Sequence, residues 1–346
     1  MIILFAGRYT SDYNRNKIIL DGLQKKEGVK VIEYKFRKRK EFDPIKFKAL
    51  VEESDFVYCP SFSHKFVRLI KKYSNKPVIF DPLISNYLTK VFDYKNVFRW
   101  SPRAYKNYLK DKLPFKAADL LLADTEQHKQ YYHKTFGIPL NKIEVLPVGA
   151  NTSEFQPQET SQNEIFTIGF YGGFIPLQGV KFIIEAAELL KSKQIQFHLI
   201  GTGYQYQEMQ ELVKAKGLSN VHFDGWSNYK DLPEKISKFD ICLGIFGDTP
   251  KAPLVIPNKI YHYAAIGKPI ITMDSAAIRE VFTKDENILL IGNNGNSIAK
   301  AILDLKNNSE KRKQLANNAR KLAEESFSED KIAEKLIVYA KKLLHH

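Results

Sequence analysis

Asn258, Lys259 and His262 lie close together in the run FDICLGIFGDTPKAPLVIPNKIYHYAAIGKPIIT, from Phe239 to Thr272. A helix starting at Pro257 puts Lys259 in its first turn and His262 on the same face one turn further in. Free backbone N–H groups, the positive end of the helix dipole and an ammonium then meet at one place, which suits a diphosphate. The plain alternative is an ordinary crossover helix with a solvated lysine, since Lys is common on helix surfaces. The preceding loop offers Asp248, Thr249 and Lys251, a carboxylate, a hydroxyl and an ammonium able to bond a polyol or a phosphate. Such a composition is also ordinary turn chemistry. Upstream, Gly172-Gly173 and Gly201-Thr202-Gly203 each follow an apolar run and allow close backbone approach to an anion, although tight turns use glycine anyway. The second glycine pair lacks the third glycine of the dinucleotide fingerprint, so NAD is not expected.

These residues need elements to hold them. FDICLGIF and GKPIIT read as buried parallel strands, and the helix between them is expected over Pro257 to Ile266, with Pro257 in its first turn and Gly267 in the left-handed position after it. Before it come FTIGFYGG, a helix from Lys181 to Lys193, QFHLIGTG, a helix near Tyr206 to Lys216, VHFDGW and a helix near Leu232 to Lys238. The first half has the same rhythm: MIILFAG, VKVIEYKF, DFVYCP, KPVIFDP, ADLLLAD and KIEVLPVG alternate with helical stretches such as Arg15 to Lys25 and Gln127 to Phe136. Two tandem Rossmann-like α/β domains follow, with ligands at the carboxyl ends of the strands. Residues 1–155 form the first, QPQETSQNE over 156–164 is the linker, and 165–326 form the second. The tail, 327–346, holds a helix capped by Ser328, with Ile332, Leu336, Tyr339 and Leu343 on one side. Asp81 in VIFDP and Asp124 in LLADT end strands of the first domain, where either can bind an acceptor hydroxyl or simply cap the next turn; Gly7 and Arg15 are placed on the same acceptor side.

The chain has 346 residues, 44% of them hydrophobic, and no apolar run approaches the ~18 residues needed to span a bilayer. Without a basic leader at MIILFAG, a cytoplasmic location is expected. Cys59 and Cys242 sit in separate apolar runs and are expected to be buried thiols, and His345 and His346 are read as a cloning remnant. The net charge of +14 is uneven: residues 1–150 hold 29 Lys and Arg against 16 Asp and Glu, whereas 151–346 hold 24 against 23. KFRKRK at Lys35 to Lys40 and the stretch Arg99 to Lys116, where basic residues mix with Trp100, Tyr105, Tyr108 and Phe115, suit an anionic membrane surface or a phosphate-bearing acceptor. They equally suit a solvated basic face; nucleic-acid binding rests on charge alone and is not expected. HExxH, GxSxG and GxxxxGK[ST] are all missing, so zinc protease, serine hydrolase and P-loop readings drop out, and no metal site is expected.

The ordered combination of FTIGFYGGFIPLQGVKFIIEAAELL, QFHLIGTGYQYQEMQELVKAKGLSNVHFDGW and the Phe239–Thr272 run resembles the donor domain of retaining nucleotide-sugar glycosyltransferases of family 4, with the GT-B fold. KAADLLLADTEQHKQYY and KIEVLPVGANTSEFQP are similar, less specifically, to the end of that family's acceptor domain. The resemblance implies an inter-domain cleft, a terminal helix crossing back to the first domain, no cofactor, no obligatory metal, and a UDP- or GDP-sugar donor. It implies that Lys259 contacts the donor diphosphate, with Gly172 and Gly173 facing it. His262 stands where the family's second glutamate holds the ribose, and Leu254 where the first glutamate of E-x7-E would be. The Arg and Lys found after the glycine loop in many members are Gly173 and Gln178 here.

The expected activity is metal-independent, retaining transfer of a sugar to a saccharide or lipid-linked acceptor, in surface polysaccharide or glycolipid synthesis at the inner membrane face. Lys259 and Asp81 are the expected catalytic residues. Gly172, Gly173, Gln178, Gly201, Asp248, Lys251, Asn258, Lys259 and His262 are the expected donor-binding set, and Gly7, Arg15 and Asp124 the acceptor-side set. The alternative, motivated by Leu254 and His262, is a non-catalytic GT-B protein that binds a nucleotide or a partner glycosyltransferase.

Overall fold

The computed structural model describes residues 1–159 and 164–345. Residues 160–163 of the expected linker, and His346, lie outside the described residues. The chain divides into two compact units, Met1–Gly149 with Phe327–His346, and Ala150–Ser326.

In the first unit β1 (Ile2–Gly7), α1 (Asn14–Gln24), β2 (Lys30–Lys35), α2 (Pro44–Glu52), β3 (Phe56–Cys59), α3 (Val67–Tyr73), β4 (Val78–Phe80), α4 (Pro102–Ala117), β5 (Leu120–Ala123), α5 (Glu126–Phe136) and β6 (Ile143–Val145) build a parallel sheet of order β2-β1-β3-β4-β5-β6. Helix starts follow side-chain chemistry. The Asp43 carboxylate accepts from the backbone N–H of Ile45 and Lys46 with Pro44 next to it, and Ser101 and Thr125 cap α4 and α5 in the same way. Every residue of β3, β4 and β5 is buried, because helices cover both faces of the sheet.

The second unit has β7 (Phe166–Tyr171), α6 (Val180–Leu189), β8 (Ile195–Ile200), α7 (Tyr206–Ala215), β9 (Val221–Gly225), α8 (Leu232–Ser237), β10 (Ile241–Leu243), α9 (Asn258–Ile266), β11 (Ile270–Met273), β12 (Leu289–Ile291), α10 (Gly295–Asn307) and α11 (Ser309–Ser326), with strand order β12-β11-β10-β7-β8-β9. Both sheets are the expected Rossmann-like α/β layers. Two boundaries shift. The helix expected from Lys181 ends at Leu189, because the chain turns at Gln194, φ 49°, to enter β8. The helix expected from Pro257 begins at Asn258, with Pro257 in extended conformation as its N-cap.

The last helix, α12 (Glu329–Leu344), packs on α1 of the first unit. Ser328 caps it, Ile332, Ala333, Leu336 and Ala340 are buried, and Lys25 and Lys26 pair with Glu329, Asp330 and Glu334. The two backbones touch at Gly22, where a Cβ would lie 2.1 Å from the Glu329 carbonyl oxygen and 2.9 Å from Ala333 Cβ. Gly22→Ala is expected to force α1 and α12 apart and lower the free energy of unfolding by about 1–3 kcal/mol. An unchanged urea midpoint would refute that packing.

Candidate functional site

The second sheet reverses its winding between β7 and β10, and a crevice outside the carboxyl ends of such a strand pair is where open α/β sheets bind ligands. The Gly172-Gly173 turn follows β7, and β10 leads through residues 244–257 to α9. The topology therefore brings the glycine turn and the lysine helix together.

Lys259 is 2% exposed. Its ammonium lies 3.5 Å from the Phe170 ring centroid, donates to Gln178 Oε1 at 2.5 Å and reaches the Gly244 carbonyl at 3.5 Å. Among the described residues no carboxylate pairs with it. Burial alone pushes it well below the usual lysine range. Gly172 faces it with φ 152°, and a Cβ there would lie 2.9 Å from Lys259 Nζ. Gly201 closes the turn from behind: its Cβ would lie 2.0 Å from the Gly172 carbonyl oxygen. Gly173 is exposed, and a Cβ there would make only ordinary van der Waals contacts, 3.8 Å from Ile175 Cγ2 and 3.9 Å from the Thr202 carbonyl oxygen. Gln178 is clamped by backbone, its carbonyl accepting from Phe246 N–H at 3.1 Å. Lys259, Gly172, Gly201 and Gln178 thus form one cluster.

His262 occupies an aromatic box. Phe155 stacks on it at 3.8 Å, Tyr229 meets it edge-on at 5.6 Å, and the Tyr171 hydroxyl is hydrogen-bonded to Nδ1 at 2.5 Å. Tyr171 is itself fixed, its N–H donating to the Tyr263 hydroxyl at 3.0 Å. Burial lowers the His262 pKa to about 3, so the ring is neutral at ordinary pH. Phe155, Phe170, Tyr171 and Tyr229 escaped the sequence reading because aromatic residues in or near strands look like core. Only their closeness to a helix start marks them.

In the loop between β10 and α9, Asp248 is exposed, Lys251 and Thr249 are buried, and the Thr249 hydroxyl has no hydrogen-bond partner among the described residues. Asn258 is half-buried in the first turn of α9. The loop is anchored at Gly247, whose N–H donates to the Leu177 carbonyl at 3.2 Å, so it borders Gln178. Leu254 is half-buried and packs on the core of this unit.

In the first unit the reversal lies between β1 and β3. Gly7 ends β1, and a Cβ there would lie 2.4 Å from Ser63 Oγ in the loop after β3. Phe62 in that loop is exposed with φ 68°, and the neighbouring Ser61 hydroxyl is buried without a partner. Arg15 is fully buried: Nε donates to Asp81 Oδ2 at 2.6 Å, Nη2 to the Leu146 carbonyl at 3.0 Å, and Nη1 to the Pro147 carbonyl. Tyr58 donates to the same Asp81 oxygen at 2.7 Å. Asp124 holds His128 Nδ1 at 2.6 Å. Neither aspartate serves as the Asx cap considered from the sequence; Thr125 performs that task for α5. Asp81 is engaged by two donors at once, an arrangement that positions Arg15.

Among the described residues no cluster of three or more His, Cys, Asp or Glu side chains could hold a metal, and no helix is long and apolar enough to cross a membrane.

Residues 165–308 match the family model described as glycosyl transferases group 1. The matched stretch lies within the second unit, Ala150–Ser326. Lys259, Gly172, Gln178 and His262 all fall inside it. The chain is 28% identical over 170 residues to an uncharacterized glycosyltransferase of Methanocaldococcus jannaschii, covering 47% of this chain and 44% of that protein. It is 23% identical over 211 residues to the O-antigen chain mannosyltransferase C of Escherichia coli, covering 60% and 55%. The chain thus spans about half the length of these curated relatives. Among solved structures, Anabaena HepE in complex with UDP is similar with a TM-score of 0.75 and 16% identity, over 99% of this chain and 100% of that one. That likeness shows the fold, the pair of Rossmann-like domains of the GT-B class.

Two outcomes test the geometry of this site. Gly172→Ala must strain a left-handed backbone and push Lys259 aside, whereas Gly173→Ala makes only ordinary van der Waals contacts. The first is expected to weaken nucleotide binding at least about tenfold and the second to leave it unchanged, a loss of about 1.4 kcal/mol against none; equal titration isotherms would refute the arrangement. His262 has a folded pKa of about 3 against an ordinary 6.5, so the unfolded chain binds the extra proton first. Its contribution is complete above pH 6.5 and is lost on acidification through that window, by about 1.4 kcal/mol per pH unit. His262→Gln is expected to flatten this slope in urea melts between pH 7 and 5, and parallel slopes would show that the ring is not buried neutral.

Proposed function

We propose that this protein is a retaining glycosyltransferase of the family 4 type that moves a sugar from a nucleotide diphosphate to a saccharide or lipid-linked acceptor in surface polysaccharide or glycolipid synthesis. It works peripherally at the cytosolic membrane face. The observation that carries the reading is the buried Lys259, with no acid partner among the described residues, opposite a glycine turn at a strand reversal in the region that matches the group 1 family model. An ammonium held away from water and without a counter-charge is a site waiting for an anion.

A diphosphate entering there restores the proton that burial disfavours on Lys259. As the bond between the anomeric carbon and the phosphate oxygen breaks, negative charge grows on the phosphate. Lys259, the N–H groups at the start of α9 and the Gly172-Gly173 turn stabilise it without moving. The acceptor hydroxyl attacks from the same face and its proton passes to the departing phosphate, so no protein nucleophile and no metal is required. Asp248, Lys251 and Asn258 line the approach for sugar and phosphate, and His262 and Gln178 complete the donor pocket. In the first unit Gly7, Arg15 and Asp124 serve the acceptor, with Asp81 acting through Arg15. HepE, solved with UDP and with UDP-glucose, supports a UDP-sugar as the first donor to test, ahead of a GDP-sugar.

The neutral, boxed-in His262 and the apolar Leu254 favour a second reading, a GT-B protein that holds a nucleotide without transferring sugar. One variant separates the readings. Lys259→Met removes a buried amine of similar volume, so the free protein is expected to gain about 1 kcal/mol of stability. Loss of the pre-organised cation is expected to lower kcat about 10²–10³-fold. Transfer by the variant at the wild-type rate would overturn the donor-site assignment. UDP-induced stabilisation of the wild type, with no transfer or hydrolysis across UDP- and GDP-sugars, would establish the second reading.

A further inference from the structure

The first unit carries a groove of about 680 Å³ lined by Arg37, Lys38, Arg39, Lys65, Arg68 and Lys72, with Phe66 and Leu69 at its floor. Neither the donor-binding nor the acceptor-side residues line it. Its construction is local. Arg37, Lys38 and Arg39 follow β2, while Lys65, Arg68 and Lys72 recur at the spacing of one helical face on and just before α3. The opposite face of α3, Val67 and Ile70, is buried in the core. All six cations are exposed, and none forms an ion pair among the described residues. The nearby acid, Glu41, accepts instead from the backbone N–H of Arg37 at 2.7 Å and Lys38 at 3.3 Å.

The cationic surface continues beyond the groove. Lys110 on α4 is pushed below the usual lysine range, first by partial burial and then by the ammoniums of Lys90, Lys106 and Lys65, and Lys65 also lines the groove. At the start of α4, Phe98, Trp100 and Tyr105 are 73%, 78% and 63% exposed, with the Arg99 guanidinium 5.0 Å from the Trp100 ring. Cations that outnumber the nearby acids, Glu41 and Asp111, cost free energy in the free protein, and a dense anionic surface recovers it. Exposed Trp and Tyr rings beside arginines fit the headgroup level of a bilayer, the ring in the apolar boundary and the cation on phosphate. A single-stranded nucleic acid would call for stacking rings along the cationic track; here the only aromatic residue lining the groove, Phe66, is buried, and Phe98, Trp100 and Tyr105 are not among its lining.

We propose that the groove formed by Arg37, Arg39, Lys65, Arg68 and Lys72, with the Phe98–Tyr105 tip, is the site at which this protein docks on an anionic phospholipid surface. The inference deepens the membrane part of the function proposed above and rests on that reading for its purpose. It does not involve the donor pocket, so the two can fail separately.

The test is co-sedimentation of the full chain with vesicles of phosphatidylcholine alone and with phosphatidylglycerol added. Two triple variants are compared with the wild type: Arg37→Gln/Arg68→Gln/Lys72→Gln in the groove, and Lys191→Gln/Lys193→Gln/Lys214→Gln on the exposed surface of the second unit. Binding is expected to the anionic vesicles only. The groove variant should lose about a hundredfold in partition, roughly fivefold per cation, and the control little. UDP-induced stabilisation, read on the same samples, should be unchanged in both. No binding to anionic vesicles, equal losses in the two variants, or a groove variant that loses single-stranded RNA while keeping vesicles would each overturn the proposal. Loss of vesicle binding with UDP stabilisation intact supports it whether or not sugar transfer is ever found.

Discussion

An amine sealed against a benzene ring, with no acid partner among the described residues, is the constraint on which the second unit is arranged. The ring face of Phe170 and the amide oxygen of Gln178 give the Lys259 ammonium partial compensation, and neither carries charge. The same burial that makes the free protein hold this group at a loss makes it discriminating: an anion with two or more negative oxygens supplies what the protein omits. The penalty is greatest at pH values below the depressed folded pKa and fades as pH rises toward the ordinary lysine value. The backbone around it is correspondingly crowded. Gly172, Gly201, Gly244 and Gly247 all sit where a Cβ would strike a neighbour within 3 Å.

The first unit solves a related problem in the opposite way. Its buried cation, Arg15, is neutralised by one carboxylate and bonded to two carbonyls, and Asp81 accepts in turn from Arg15 and Tyr58. Arg15 thereby ties the start of α1 to the chain beyond β6. A planar guanidinium with fixed donors can hold backbone carbonyls in register as an ammonium cannot. One unit therefore keeps its interior charge paired and rigid, while the other keeps its charge unpaired and available.

Much of this was legible in the chain itself. Apolar strand runs with glycine-rich ends gave two Rossmann-like units, and Pro257 followed by Asn258 and Lys259 marked the helix start that matters. The side-chain environments were not legible. Nothing local to Lys259 says that its ammonium folds back onto Phe170, because that contact joins residues far apart in sequence. Nothing local to His262 announces Phe155, Tyr171 and Tyr229 around it. Asp81 and Asp124 were correctly placed at strand ends, but their partners, Arg15 and His128, depend on tertiary neighbours that period and composition do not encode. The cationic groove is an intermediate case: KFRKRK is visible as a cluster, whereas its convergence with Lys65, Arg68 and Lys72 appears only once β2 and α3 are set side by side.

The packing of α12 on α1 also fixes an order of events during synthesis. Residues 150–326 emerge from the ribosome as a complete unit, with every strand of their sheet present. The first unit, although made earlier, lacks the helix that covers α1 until residues 327–344 have been translated. Its Gly22 face, cut to fit the Glu329 backbone, stays open to water and to chaperones for the time needed to make more than half the chain. The half begun first is the half finished last.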